Sequence, residues 1–97
     1  MTERVRLAHG NGGRHMRELI DEVFAGALGD QAPDTRSDAA ALPRTPDCEL
    51  VITTDGFTVQ PLEFPGGDLG SLAVHGSVND LAVAGAQPRW LTLAVLL

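Results

Sequence analysis

Three aspartates carry the sharpest chemical signal in this chain. Asp55 ends the apolar, β-branched run Glu49-Leu50-Val51-Ile52-Thr53-Thr54 and is followed by Gly56. Asp68 follows the glycine turn Pro65-Gly66-Gly67, and Asp80 lies in the apolar stretch beyond it, after Asn79. Carboxylate oxygens are hard donors suited to Mg²⁺, which uses few protein ligands and completes its shell with water and phosphate oxygens. An Asp at the carboxyl end of a strand, beside a glycine that lets a ligand approach, is a common place to hold that ion. A second signal is the loop Ala8-His9-Gly10-Asn11-Gly12-Gly13 at the start of a helical pattern. Backbone N–H groups of such a loop attract anions. A glycine loop for phosphates and several Asp for magnesium make a coherent nucleotide site. Each feature also has a plain structural reading. Asp55 can be a turn residue, Asp68 a helix N-cap, Asn79-Asp80 a solvated patch, and the glycine loop an ordinary helix start.

Other chemistries are excluded or unsupported. All seven basic residues are arginine, so a phosphate loop requiring lysine is ruled out. The third glycine of a dinucleotide fingerprint begun at Gly10-x-Gly12 is replaced by His15. Ser71 and His75 stand at i, i+4, but no oxyanion loop accompanies them, and helix packing explains them better. His9, His15 and Cys48 match no transition-metal spacing. Their roles, like that of His75, stay open. A net charge of −6 argues against nonspecific nucleic-acid or anionic-membrane binding. With one cysteine, Cys48, neither an internal disulfide nor a four-cysteine zinc site is possible. The first residues lack the apolar run of a signal peptide, and no segment reaches the ~18 apolar residues of a membrane span. A cytoplasmic protein that binds neither nucleic acid nor membrane is expected.

The elements that must position these residues follow from periodicity. Ninety-seven residues make one domain at most. Val5-Arg6-Leu7 reads as a short strand. Residues 14–28 carry Met16, Leu19, Ile20, Val23, Phe24, Ala27 and Leu28 at helical spacing, stopped by Gly29. Residues 30–47, rich in Asp and Pro, form an acidic surface loop, with one possible helical turn at Ala39–Leu42. Glu49–Thr54 and Phe57–Gln60 read as strands. A second helix starts at Asp68 and is closed by Gly85-Ala86-Gln87-Pro88. On it Asp68, His75 and Asn79 lie near one face, with Asp80 about 100° round, in line with Gly76 and Val83. Residues 88–97 read as a last strand. The order is strand, helix, strand, strand, helix, strand, an α/β (α+β) arrangement. Ending on an open apolar run, the chain is expected to be a piece of a longer protein or to pair with another subunit.

Several segments together carry a resemblance: Leu7-Ala8-His9-Gly10-Asn11-Gly12-Gly13, Thr54-Asp55-Gly56-Phe57-Thr58-Val59-Gln60-Pro61, Phe64-Pro65-Gly66-Gly67-Asp68-Leu69-Gly70 and the run from Asn79-Asp80 to Gln87-Pro88. In order and composition they resemble the amino-terminal domain of the HypE family of hydrogenase maturation proteins, the carbamoyl dehydratases. That family belongs to the AIR synthetase-like ATP-binding superfamily, with selenophosphate synthetase and thiamine-monophosphate kinase. The resemblance spans nearly the whole chain apart from residues 30–47. It implies that residues 1–97 are the N-terminal ATP-binding domain of a protein whose C-terminal domain is absent here. It further implies a mixed sheet pairing across a homodimer into a β-barrel, with ATP and Mg²⁺ as cofactors. By the same resemblance Asp55, Asp68 and Asp80 are the metal carboxylates, Asn79 is a nucleotide contact, and Gly12-Gly13 is a flexible segment over ATP. The parent enzyme would dehydrate a carbamoylated C-terminal cysteine to a thiocyanate in making the cyanide ligands of NiFe hydrogenase, with HypF, HypC and HypD as partners. No catalytic residue is assigned within these 97 residues, and Cys48 is not the carrier. The alternatives are a non-catalytic dimerisation and partner-binding module, or the corresponding domain of another superfamily enzyme.

Overall fold

In the computed structural model, residues 4–32 and 34–96 are described. The chain divides into two compact units, the first running to Arg44 and the second spanning Thr45–Val95.

The first unit is helical. A 3₁₀ turn, Leu7–Gly10, leads through the glycine loop into α1 (Arg14–Leu19). The helix continues as a π-helical segment, Ile20–Ala25, and ends in a short α2 (Gly26–Leu28). The expected helix over 14–28 is therefore present, with one unanticipated feature. A π segment changes the hydrogen-bond register, so residues beyond it fall out of line with a 3.6-residue stripe. Leu19, Ile20, Phe24 and Ala25 are half-buried, while Met16, Val23 and Leu28 are exposed. Gly29 takes φ 58°, a value glycine adopts without strain, and ends the α-helical stretch as anticipated.

The second unit is built around a hairpin that feeds a helix. Strands β1 (Glu63–Phe64) and β2 (Gly67–Asp68) pair antiparallel, Glu63 opposite Asp68 and Phe64 opposite Gly67. Pro65 and Gly66 make the connection. Proline sets the first central position and Gly66, at φ 96°, supplies the second, the combination a type II turn requires. A Cβ at Gly67 would lie 2.8 Å from the Ser71 Oγ and 3.4 Å from the Phe64 ring, so only glycine lets both close on the turn. The Leu69 N–H donates to the Leu62 carbonyl at 2.9 Å and ties the hairpin to α3 (Leu69–Val83).

Both ends of α3 are closed locally. Asp68 is the N-cap in extended conformation, as its position in the sequence predicts. At the other end the Gly85 N–H donates to the Ala82 carbonyl and the Ala86 N–H to the Leu81 carbonyl, at 3.0 and 2.9 Å. With Gly85 at φ 76° this is a complete Schellman motif.

The expected strands are corrected. Val5-Arg6-Leu7 is not a strand: Leu7 begins the 3₁₀ turn, which the His9 side chain closes on the Arg6 N–H. Glu49–Thr54, Phe57–Gln60 and residues 88–96 form no ladder among the described residues, and Leu97 lies outside them. Nor is Ala39–Leu42 helical. The strand-helix-strand-strand-helix-strand order and its mixed sheet are thus replaced by helices and one small antiparallel sheet, an α+β arrangement. The cause is that a ladder needs a second strand to receive its N–H and C=O groups, and these segments have none here. Among the described residues no side chain is fully buried. Leu50 and Ile52 stay 78% and 84% exposed, and Leu93 62%.

Candidate functional site

The glycine loop is fixed from both sides by short local bonds. The Arg6 N–H donates to His9 Nδ1 at 2.7 Å, and the His9 N–H donates to the Arg6 carbonyl at 3.0 Å. The Asn11 Oδ1 accepts from the Gly13 N–H at 3.0 Å. Gly12 sits at φ 78°, and a Cβ there would meet nothing within 4 Å. Glycine is thus required at this position by the backbone rather than by crowding. Gly13 is the N-cap of α1 and brings no capping side chain. The His9 and His15 rings meet edge to face, 5.8 Å between centroids. Arg14 donates to the Glu18 carboxylate at 2.7 Å, and that hydrogen bond holds the Glu18 carboxyl below its ordinary range.

Asp55, Asp68, Asn79 and Asp80 all lie in the second unit. Asp68 is engaged in structure. Its Oδ1 accepts from the Ser71 N–H at 2.8 Å, while the Asp68 N–H donates to the Ser71 Oγ at 3.0 Å. This reciprocal pair is a capping box. The Ser71 backbone and hydroxyl bonds keep the Asp68 carboxyl below its usual pKa. Ser71 was not read as a capping partner from the sequence, yet its spacing of three residues from an N-cap Asp is the signal that finds it. Asp55 is exposed, and its Oδ1 accepts from the Gly56 N–H at 2.8 Å. Asn79 and Asp80 are exposed on the last turns of α3, as is His75 one turn earlier. Asp80 offers its backbone carbonyl to the Ala84 N–H at 3.3 Å.

One contact that the sequence reading missed joins two of these segments. The Phe57 ring, two residues beyond Asp55, rests on the backbone of α3 at Gly76. A Cβ built at Gly76 would overlap the ring at Cε1 and Cζ and lie 3.6 Å from Cδ1. The sequence signal was a glycine inside a helix with no turn to make.

The donor chemistry of the three aspartates suits a hard cation. Their geometry is looser. Among the described residues no three His, Cys, Asp or Glu side chains gather as a metal-ligand set. Asp68 and Asp55 each give one oxygen to a local backbone N–H, that of Ser71 and that of Gly56, and each keeps its other oxygen for a ligand. This unit also holds an apolar groove of about 190 Å³ between α3 and residues 88–91, lined by Val74, Val78, Leu81, Pro88, Trp90 and Leu91 among others. The Arg89 guanidinium stands 4.8 Å from the Trp90 ring centroid and donates to the Thr45 Oγ1 at 2.8 Å. No helix among the described residues is long and apolar enough to cross a membrane.

Similarity to known proteins agrees with the sequence resemblance. Over 98% of its length the chain is 53% identical to the carbamoyl dehydratase HypE of Rhodobacter capsulatus, covering 28% of that protein. It is 48% identical, over 96% of its length, to the hydrogenase expression/formation protein HupE of Azotobacter chroococcum, covering 27% of it. The carbamoyl dehydratase HypE of Escherichia coli is 42% identical over 96% of the chain, which covers 29% of that relative. The chain therefore spans less than a third of the length of these curated relatives. No solved structure matches it at a significant level. The family described as AIR synthase related protein, N-terminal domain, matches residues 36–97, which include Asp55, the capped helix and the Asn79-Asp80 turn, and the chain belongs to that family.

Proposed function

We propose that this domain is the ATP-binding and dimerisation part of a HypE-type carbamoyl dehydratase acting in the cytoplasm during hydrogenase maturation. The observation that carries the reading is the likeness to proteins named carbamoyl dehydratase HypE along almost the whole chain, at 42–53% identity. In the parent protein, bound ATP would activate the carbamoyl oxygen of a carbamoylated C-terminal cysteine, so that the oxygen leaves with phosphate and a thiocyanate remains. HypF, HypC and HypD are the partners this reaction calls for. Within this chain, Asp55 and Asp80 hold Mg²⁺ and Asp68 stands near the phosphates while capping α3. Asn79 contacts the nucleotide, and Gly12 and Gly13 let the loop fold over it. Exposed Leu50, Ile52 and Leu93 favour association of their segments with a second copy, since exposed apolar surface is stabilised by cover.

A second reading, an assembly module that holds no nucleotide, is favoured by two observations. Asp68 is engaged as a cap, and no three carboxylates gather among the described residues. Calorimetric titration of the full-length protein with ATP and Mg²⁺ separates the two. Asp55→Asn and Asp80→Asn should each weaken Mg-ATP binding at least tenfold. Unchanged affinity in both would leave the assembly reading standing.

A further inference from the structure

We propose that Gly76 is a positioning residue. Its missing side chain admits the Phe57 ring onto α3 and so holds the Asp55 turn beside the Asn79-Asp80 turn of the helix. The proposal rests on the nucleotide reading above and adds what arranges that site.

The argument is geometric. Phe57 is half-buried, as are Thr53 and Val59, while Asp55, Gly56 and Thr58 are exposed, and its ring is the group of this segment that meets α3 at Gly76. The anchor point is bare helix backbone, since any β-carbon at Gly76 would overlap the ring edge. Asp55 lies two residues from Phe57, which limits its Cα to about 7 Å from that of Phe57. Asp80 lies four residues beyond Gly76, about 6 Å along the helix axis and about 40° round it. One contact thus ties the chain two residues beyond Asp55 to the helix one turn before Asp80. Glycine is otherwise costly inside a helix, and Gly76 makes no turn or cap. The close approach of the ring is the physical reason to keep it there.

The test uses the full-length protein with fluorophenylalanine incorporated. The Phe57 fluorine resonance is assigned by its loss in Phe57→Leu. Gly76→Ala should move that resonance and weaken Mg-ATP binding at least tenfold by calorimetry. The loss should shrink at saturating Mg²⁺, because the defect lies in how the carboxylates are placed for the ion. General damage to folding would instead lower the number of sites and leave the Mg²⁺ dependence alone. The double variant Phe57→Leu/Gly76→Ala, in which a smaller apolar side chain meets the new methyl, should recover most of the affinity. A Phe57 resonance unmoved by Gly76→Ala overturns the contact. A moved resonance with unchanged affinity overturns the positioning role and leaves the nucleotide reading intact. Wild-type protein that binds no Mg-ATP overturns both. If Gly76→Ala does not fold, Phe57→Leu alone opens the contact and must weaken binding, and unchanged affinity there overturns the proposal.

Discussion

Replacing Gly85 by alanine isolates one backbone effect at the end of α3. Gly85 sits at φ 76°, and a Cβ there would meet nothing within 4 Å. Crowding therefore adds nothing, and the whole cost is conformational. Holding a residue with a β-carbon in the left-handed region costs about 1–2 kcal/mol. Alanine also restricts the unfolded chain, which returns about 0.4–1 kcal/mol. The net loss is on the order of 1 kcal/mol, about a fivefold change in a local opening equilibrium. The Ala86 N–H, which donates to the Leu81 carbonyl at 2.9 Å, reports that opening directly. Hydrogen exchange at Ala86 in the full-length protein should accelerate about fivefold in Gly85→Ala and less in Gly85→Asn, since asparagine tolerates this region better. Gly70→Ala is the internal control. That residue lies in the first turn of α3, and its Cβ would stand 3.4 Å from the Asp68 Oδ1, an ordinary contact. Gly70→Ala should slow exchange, because alanine exceeds glycine in helix propensity by about 1 kcal/mol. Exchange at Ala86 that is unchanged or slower in Gly85→Ala would refute the Schellman closure.

Further outcomes follow from the same geometry. The Asp68 carboxyl has its pKa lowered in the folded state by the Ser71 N–H, so its contribution is present above the unfolded value. It is lost as pH falls through the folded one, from about pH 4 downward. Protection of the first turn of α3 should therefore fall in acid, and Asp68→Asn, which still caps, should remove that pH dependence. Leu93→Lys places a charge in an exposed apolar run and should lower the mass measured by light scattering if that run pairs with a second copy; an unchanged mass would rule out pairing through this run. Glu18→Gln breaks an exposed pair with Arg14 and should leave the thermal midpoint unaltered. Cys48 is exposed and free, so within these residues a thiol reagent should titrate it without denaturant, and Cys48→Ser should leave Mg-ATP affinity unchanged.

What could be read from the sequence was what is decided within a few residues. Asp68 and Gly85 mark the ends of α3 because a cap and a left-handed glycine act on their immediate neighbours, and both ends fall where those residues stand. Gly29 marks the end of the first helix for the same reason. The π segment between Ile20 and Ala25 leaves no such mark, since its residues are ordinary helix formers. The hairpin was half legible. Pro65-Gly66 announces a turn, but that Glu63 and Phe64 pair with Asp68 and Gly67 is a ladder, not a propensity. Glu49–Thr54 and residues 88–96 have strand composition without a strand, because composition supplies the edge and not its partner. In the site, Asp68 was recognised as both cap and carboxylate, whereas the Phe57 contact at Gly76 joins positions nineteen apart and has only a mid-helix glycine to betray it.

The same division separates what this chain completes alone from what it leaves to others. Its polar backbone ends are closed locally: by His9 on Arg6, by Asn11 on Gly13, by Ser71 with Asp68, and by Gly85 and Ala86 on α3. Its apolar surface is not closed. Val83 is 89% exposed, and Val74 and Val78 remain open on the side of α3 that lines the groove. A helix apolar on more than one side needs cover on more than one side. Caps and turns should therefore act on local exchange and leave association alone, whereas Leu50, Ile52, Val78 and Leu93 should act on association and leave the caps alone. A cap variant that lowered the mass measured by light scattering, or an apolar variant that opened α3 with that mass unchanged, would show that the two are coupled.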